Sequence, residues 1–132
     1  MRLLAVIALL SLLAACKPPE SAAASATGEA TKAGVTVELT IDGEATVGAA
    51  PVRVTVERDG AGVTGASVEV IGEMTHAGMV PVVTQASEVE PGLYVSDEFG
   101  FNMAGDWIVS AQVSLENGEE LRAARALSVE QR

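Results

Sequence analysis

The sequence is poor in the residues from which catalytic and redox sites are most often built. Its 132 residues include one cysteine and one histidine. A single cysteine excludes an internal disulfide, so any folded domain must depend on its apolar core. One cysteine with one histidine also excludes a Cys/His zinc site. There is no G-x-S-x-G nucleophile elbow, phosphate-binding glycine loop or dinucleotide fingerprint, so the lone His76 has no partner motif and no enzyme is expected. Aromatic side chains are scarce: two Phe, one Tyr and one Trp. Cations are outnumbered, with eight Lys and Arg against eighteen Asp and Glu, for a net charge of −10. That balance argues against nucleic acid and against anionic lipid head groups as partners. No apolar run approaches the roughly 20 residues that a membrane-spanning helix needs.

What is present begins at the N-terminus. Arg2 precedes an apolar stretch that ends in Ala14-Ala15 before Cys16. Residues 1–15 therefore read as a secretory signal peptide, too short to serve as a membrane span. Leu13-Ala14-Ala15-Cys16 resembles the bacterial lipobox, whose cysteine receives a diacylglyceryl group and becomes the new N-terminus. The alternative is an ordinary secreted protein in which Cys16 is incidental. Lipidation at Cys16 would remove a lone exposed thiol. It would also hold the chain outside the cytoplasm by a lipid anchor in the cell membrane or outer membrane, each buried methylene contributing about 0.8 kcal/mol. Lys17, where lipoproteins retained at the inner membrane carry Asp, leans towards the outer membrane. Residues 16–34 contain no large apolar side chain after the cysteine and read as a flexible tether.

Residues 35–130 have the size of one domain and are dominated by period-two alternation. Val35, Val37, Leu39 and Ile41 alternate with polar residues, as do Val52, Val54 and Val56. Val68 and Val70, the short segment 93–96, the long segment from Trp107 to Leu115, and residues 121–129 continue the pattern. Asp42-Gly43, Asp59-Gly60, Pro91-Gly92 and Asn117-Gly118 mark turns between them. About seven short strands without helical periodicity predict an all-β fold: an antiparallel, immunoglobulin-like β-sandwich with Trp107 in its core.

The candidate chemistry lies in one stretch. After the leader the chain has three methionines and one histidine, Met74, His76, Met79 and Met103. On a strand, Met74 and His76 would share a face. Gly78 would allow the bend that returns Met79, and Met103 shortly precedes the Trp107 strand. Thioether sulfur is a soft ligand that has no proton to lose, and it suits Cu(I). Outside the cytoplasm it also outlasts thiolate, which oxidises to disulfide. The competing role is structural, because methionine also fills gaps in apolar cores without any metal. A metal-free interaction module on the same tether would place Tyr94, Phe99 and Phe101 in a protein-binding patch or in the core.

Four motifs in order carry a family resemblance: Val63-Thr64-Gly65-Ala66-Ser67-Val68, Met74-x-His76-x-x-Met79, Pro91-Gly92-Leu93-Tyr94, and Phe101-x-Met103-Ala104-Gly105-Asp106-Trp107. Together they resemble the YtkA-like and FixH-like domains, small extracytoplasmic β-sandwiches. The resemblance covers about residues 35–130. It implies a role in copper supply, particularly around assembly of haem–copper oxidases. Met74, His76, Met79 and Met103 are then the implied Cu(I) ligands, and an oxidase subunit is the implied recipient. Many relatives carry a denser Met/His segment than this one, and the FixH-type transmembrane anchor is absent.

Overall fold

Alternating valines make strands here because a β-branched side chain packs well on a pleated surface, and period two sends every second one to the same face. In the computed structural model, which describes residues 27–76 and 78–132, eleven strands form among the described residues. They are β1 (Thr27–Lys32), β2 (Val35–Ile41), β3 (Gly48–Ala49), β4 (Val52–Arg58), β5 (Ala61–Gly62) and β6 (Ser67–Met74). Then come β7 (Val82–Glu90), β8 (Leu93–Ser96), β9 (Gly100–Phe101), β10 (Gly105–Ser114) and β11 (Glu120–Val129). The signal peptide (residues 1–15), Cys16 and the first part of the expected tether lie outside the described residues.

The fold is all-β and every named strand pairing is antiparallel. One continuous sheet runs β1-β2-β4-β8-β7-β6-β10-β11, with β5 added to β4, while β3 and β9 pair separately. The sheet nearly closes on itself. At its two ends β1 lies against β11, so closely that a Cβ on Gly28 would sit 2.6 Å from the carbonyl oxygen of Ala124. The strand β7 joins the two halves: Val82 to Ala86 pair with β6, and Ser87 to Glu90 pair with β8.

The core fills the space enclosed by the sheet. Val35, Val37, Leu39, Val52, Val54, Val56, Val70, Val109, Ala111 and Val113 are fully buried. Burying a valine or leucine side chain is worth about 1.5–3 kcal/mol, and this sum replaces the disulfide that the domain lacks. Phe99, Phe101 and Trp107 form an edge-to-face series, with ring centroids 5.4 and 5.3 Å apart. Gly72 makes room for it, because a Cβ there would lie 2.7 Å from Phe99 Cζ.

Several expectations need correction. The tether was expected to run to residue 34, but the sheet starts at Thr27. The strand β1 brings almost no apolar bulk. It belongs to the sheet through its backbone pairing with β2, and its small Gly28 permits the close approach to β11. The β1–β2 hairpin turns on Ala33 and Gly34, both at positive φ (51° and 79°). This is the left-handed pair that a two-residue hairpin requires, with alanine where asparagine or glycine is usual. About seven strands were expected; of the eleven, β3, β5 and β9 are two residues long. Tyr94, Phe99 and Phe101 are all buried, so they are core and form no surface patch.

Candidate functional site

The register of a single pairing sets what lies at the Met74 end of β6. The strand β6 runs antiparallel to β10 and places Met74 directly opposite Trp107. One residue further on, the amide of Thr75 donates to the carbonyl of Asp106 at 3.0 Å, extending the contact past the end of the strand. The Asp106 side chain in turn accepts a 2.6 Å hydrogen bond from the hydroxyl of Ser128 on β11. The exit of the chain from β6 is therefore tied to the start of β10 and the end of β11.

Trp107 fixes the other side. Its ring is buried, and its indole Nε1–H donates to the main-chain carbonyl of Met103 at 3.0 Å. A buried indole N–H without a partner would be costly, so this bond sets the path of the loop that carries Met103. The Met103 side chain itself is 47% exposed. Between Met103 and Trp107 stands Gly105 at φ +138°, a conformation that side chains rarely adopt. A Cβ there would lie 2.7 Å from the Cε methyl of Met74. The Met74 side chain thus reaches across to the β10 side and rests over this glycine, half-buried.

The remaining two candidates are placed differently. The strand β6 ends at Met74, so the shared strand face expected for Met74 and His76 does not extend to His76. His76 is an exposed residue in the bend that follows. Gly78 does turn the chain, at φ +84° with open space around it, so glycine is required there for its backbone angle and not for room. Met79 beyond it is half-buried, and Val80 is 82% exposed. The register thus brings the Met74 side chain over Gly105, two residues from Met103 in the chain, with His76 two residues beyond Met74 and Met79 past the Gly78 bend. Among the described residues no group of three or more His, Cys, Asp or Glu side chains is gathered, so oxygen and nitrogen donors alone make no metal centre there.

Residues outside the donor list do much of the positioning. Gly105, Asp106, Thr75 and Ser128 contribute space or hydrogen bonds, and Gly105 and Asp106 were visible in the sequence only as part of a motif. Ser128 had no sequence signal, because its role depends on the pairing of β10 with β11.

The other two motifs meet at the opposite end of β6. Tyr94 is buried, and its hydroxyl donates to the carbonyl of Val63 at 2.7 Å and accepts from the amide of Ala66 at 3.1 Å. Burial pushes its phenol above the ordinary value of 10.0, against the Ala66 amide, whose hydrogen bond favours the phenolate. Gly62 and Gly92 touch back to back, and a Cβ on Gly92 would lie 2.5 Å from the Gly62 Cα. No methionine or histidine lies among these residues.

Among known protein families, one described as YtkA-like has a family model that matches residues 29–112. No curated protein and no solved structure matches the chain.

Proposed function

This chain belongs to the YtkA-like family, and from that premise we propose that it is an extracytoplasmic lipoprotein, anchored through lipid on Cys16, that holds Cu(I) with Met74, His76, Met79 and Met103. The wrapped sheet is read as an immunoglobulin-like sandwich whose two halves meet through β7. The ion is cargo, supplied to a recipient such as an oxidase subunit or sequestered from harm.

The observation that carries this reading is the double grip of Trp107. By strand register it faces Met74, and by its indole N–H it holds the loop of Met103. Met74 and the backbone of the Met103 loop, from distant parts of the chain, are both tied to Trp107, and the Met103 side chain stays in contact with solvent. A methionine recruited only to fill the core has no reason to remain 47% exposed. The donor chemistry fits a soft monovalent ion, because uncharged sulfur ligands favour Cu(I) over harder cations. His76, exposed two residues beyond Met74, adds a stronger donor that a solvent-borne or partner-borne ion can reach. The acidic surface favours the approach of cations without ligating a soft one.

The test is a competition titration of residues 17–132 with Cu(I) and a chromogenic chelator under reducing conditions. One equivalent should be withdrawn from the chelator. Met103→Ala and His76→Ala should each weaken binding by about tenfold or more, the equivalent of losing roughly 1.4 kcal/mol per ligand. Failure of the protein to compete would sink the copper reading and return the methionines to a packing role.

A further inference from the structure

A strand edge that is neither paired nor guarded invites another strand. The outer edges of β1 and β11 are guarded. They lie against each other through Gly28 and Ala124, and they carry Glu29, Lys32, Glu120 and Arg122. The strand β7 differs. Its residues 82–86 pair with β6 only, and from Ser87 onward its pairing passes to β8. The side of residues 82–86 facing away from β6 therefore has no strand partner among the described residues. In a chain of net charge −10, the stretch 80–87 (VPVVTQAS) carries no charge at all. Val80, Val83 and Val89 are 82%, 54% and 56% exposed, three of the large apolar side chains that the fold leaves to solvent.

A groove of about 350 Å³ opens where β7 parts from β8. One wall is Gln85, Ser87 and Val89 from β7, and the other is Val95, Asp97 and Glu98. Apolar and neutral groups thus lie along the edge strand, with two carboxylates facing it. Arg53, opposite Val95 in the β4–β8 pairing, is directed to Asp42 at 2.7 Å.

We propose that the open edge of β7 accepts an extended, cationic segment of a partner protein as an added strand. Its backbone would pair with residues 82–86, and a Lys or Arg would reach Asp97 and Glu98. Main-chain pairing supplies the affinity in such strand addition, and the side-chain groove supplies the selectivity. A second copy of this chain fits less well, because it would bring the same carboxylates and the same net charge to the same groove. The inference does not depend on copper, since none of these residues is a candidate ligand.

The experiment measures the anisotropy of a dye-labelled peptide of alternating valine and lysine, about the six to ten residues of a strand, titrated with the purified full-length protein. Hydrogen exchange is followed in parallel. Saturable binding is expected, with slowed exchange confined to residues 82–87. The Asp97→Asn/Glu98→Gln double variant should weaken binding at least about tenfold, because it removes the charge complementarity. Val83→Lys, at an exposed position that tolerates the change, should abolish binding by guarding the edge. Absence of binding would overturn the proposal. So would equal binding of a peptide N-methylated at alternate residues, which would reduce the effect to surface charge. A third overturning result is a dimer of the protein alone that Val83→Lys converts to a monomer, which would assign the edge to a second copy.

Discussion

The two ends of β6 are built by the same means and finish in opposite states. At the Ser67 end, the Gly62–Gly92 contact and the Tyr94 hydroxyl lock two sequence motifs together, and the hydroxyl finds both its partners within the protein. At the Met74 end, the Gly105–Met74 contact and the Trp107 indole lock the other two motifs together. There, however, a thioether and an imidazole remain exposed. The ends are about 23 Å apart along the strand, at roughly 3.3 Å per residue. Four motifs of equal prominence in the sequence thus divide into a pair that closes the fold and a pair that closes the fold and also presents donors. A motif built on glycine and one aromatic residue is explained by packing, as is the half-buried Met74 against the core; the exposed side chain of Met103 has no such packing role.

The comparison can be tested by disturbing each end separately. The largest effect is expected from Trp107→Ala. Removing a fully buried indole from the aromatic series should cost about 3–5 kcal/mol in a denaturant titration and release the Met103 loop with it. Next is Gly92→Ala at the far end. It forces a side chain into φ +81° and into contact with Gly62, for a loss of about 2 kcal/mol or more. Cu(I) affinity of the folded fraction should stay unchanged; a comparable fall in affinity would show that the ends are not independent.

Tyr94→Phe should cost about 1–2 kcal/mol, because the Val63 carbonyl and the Ala66 amide lose their shared partner. It should also change the alkaline limb of the stability curve. The wild-type phenol binds its proton more tightly when folded than when unfolded. Its contribution is therefore whole below about pH 10 and is lost as pH rises from the unfolded value towards the raised folded one. The phenylalanine variant should lack that slope in denaturant midpoints measured from pH 9 to 11. The smallest effect on stability belongs to Met103→Ala, within about 0.5 kcal/mol for so exposed a side chain. That variant should nevertheless show the clear loss of Cu(I) affinity. If it destabilised the fold as much as Tyr94→Phe does, Met103 would be a packing residue after all.

Much of the fold was legible because its signals are local. The alternation of Val35, Val37, Leu39 and Ile41 appears as four buried residues in β2, and Trp107 to Leu115 bury one face of β10 and the residue beyond it. Asp59-Gly60 has both residues at positive φ, as its composition suggests. The misses come from interactions that composition does not encode. The strand β1 joins the sheet by main-chain pairing and small size, and the Ala33 turn uses a residue with no special preference for it. The change of partner within β7 is between its two sequence neighbours, β6 and β8, and the composition of residues 82–90 does not mark where it occurs. At the candidate site the residue types were legible and the placement was not. Met74 meets the Met103 loop only because β6 and β10 pair with Met74 opposite Trp107, a register set over the whole length of both strands.

The hydrogen bond between Trp107 and Met103 has an optical consequence. The chain holds a single tryptophan, so its intrinsic ultraviolet emission is the report of one indole, bonded to the backbone of a proposed ligand. A change at the donor end that shifts this loop should alter the colour or intensity of that light without any attached dye. The single tyrosine lies at the other end of β6 and gives a second signal that such a change should leave alone. The domain therefore carries a built-in two-channel gauge, one channel beside its candidate cargo site and one at its structural clasp.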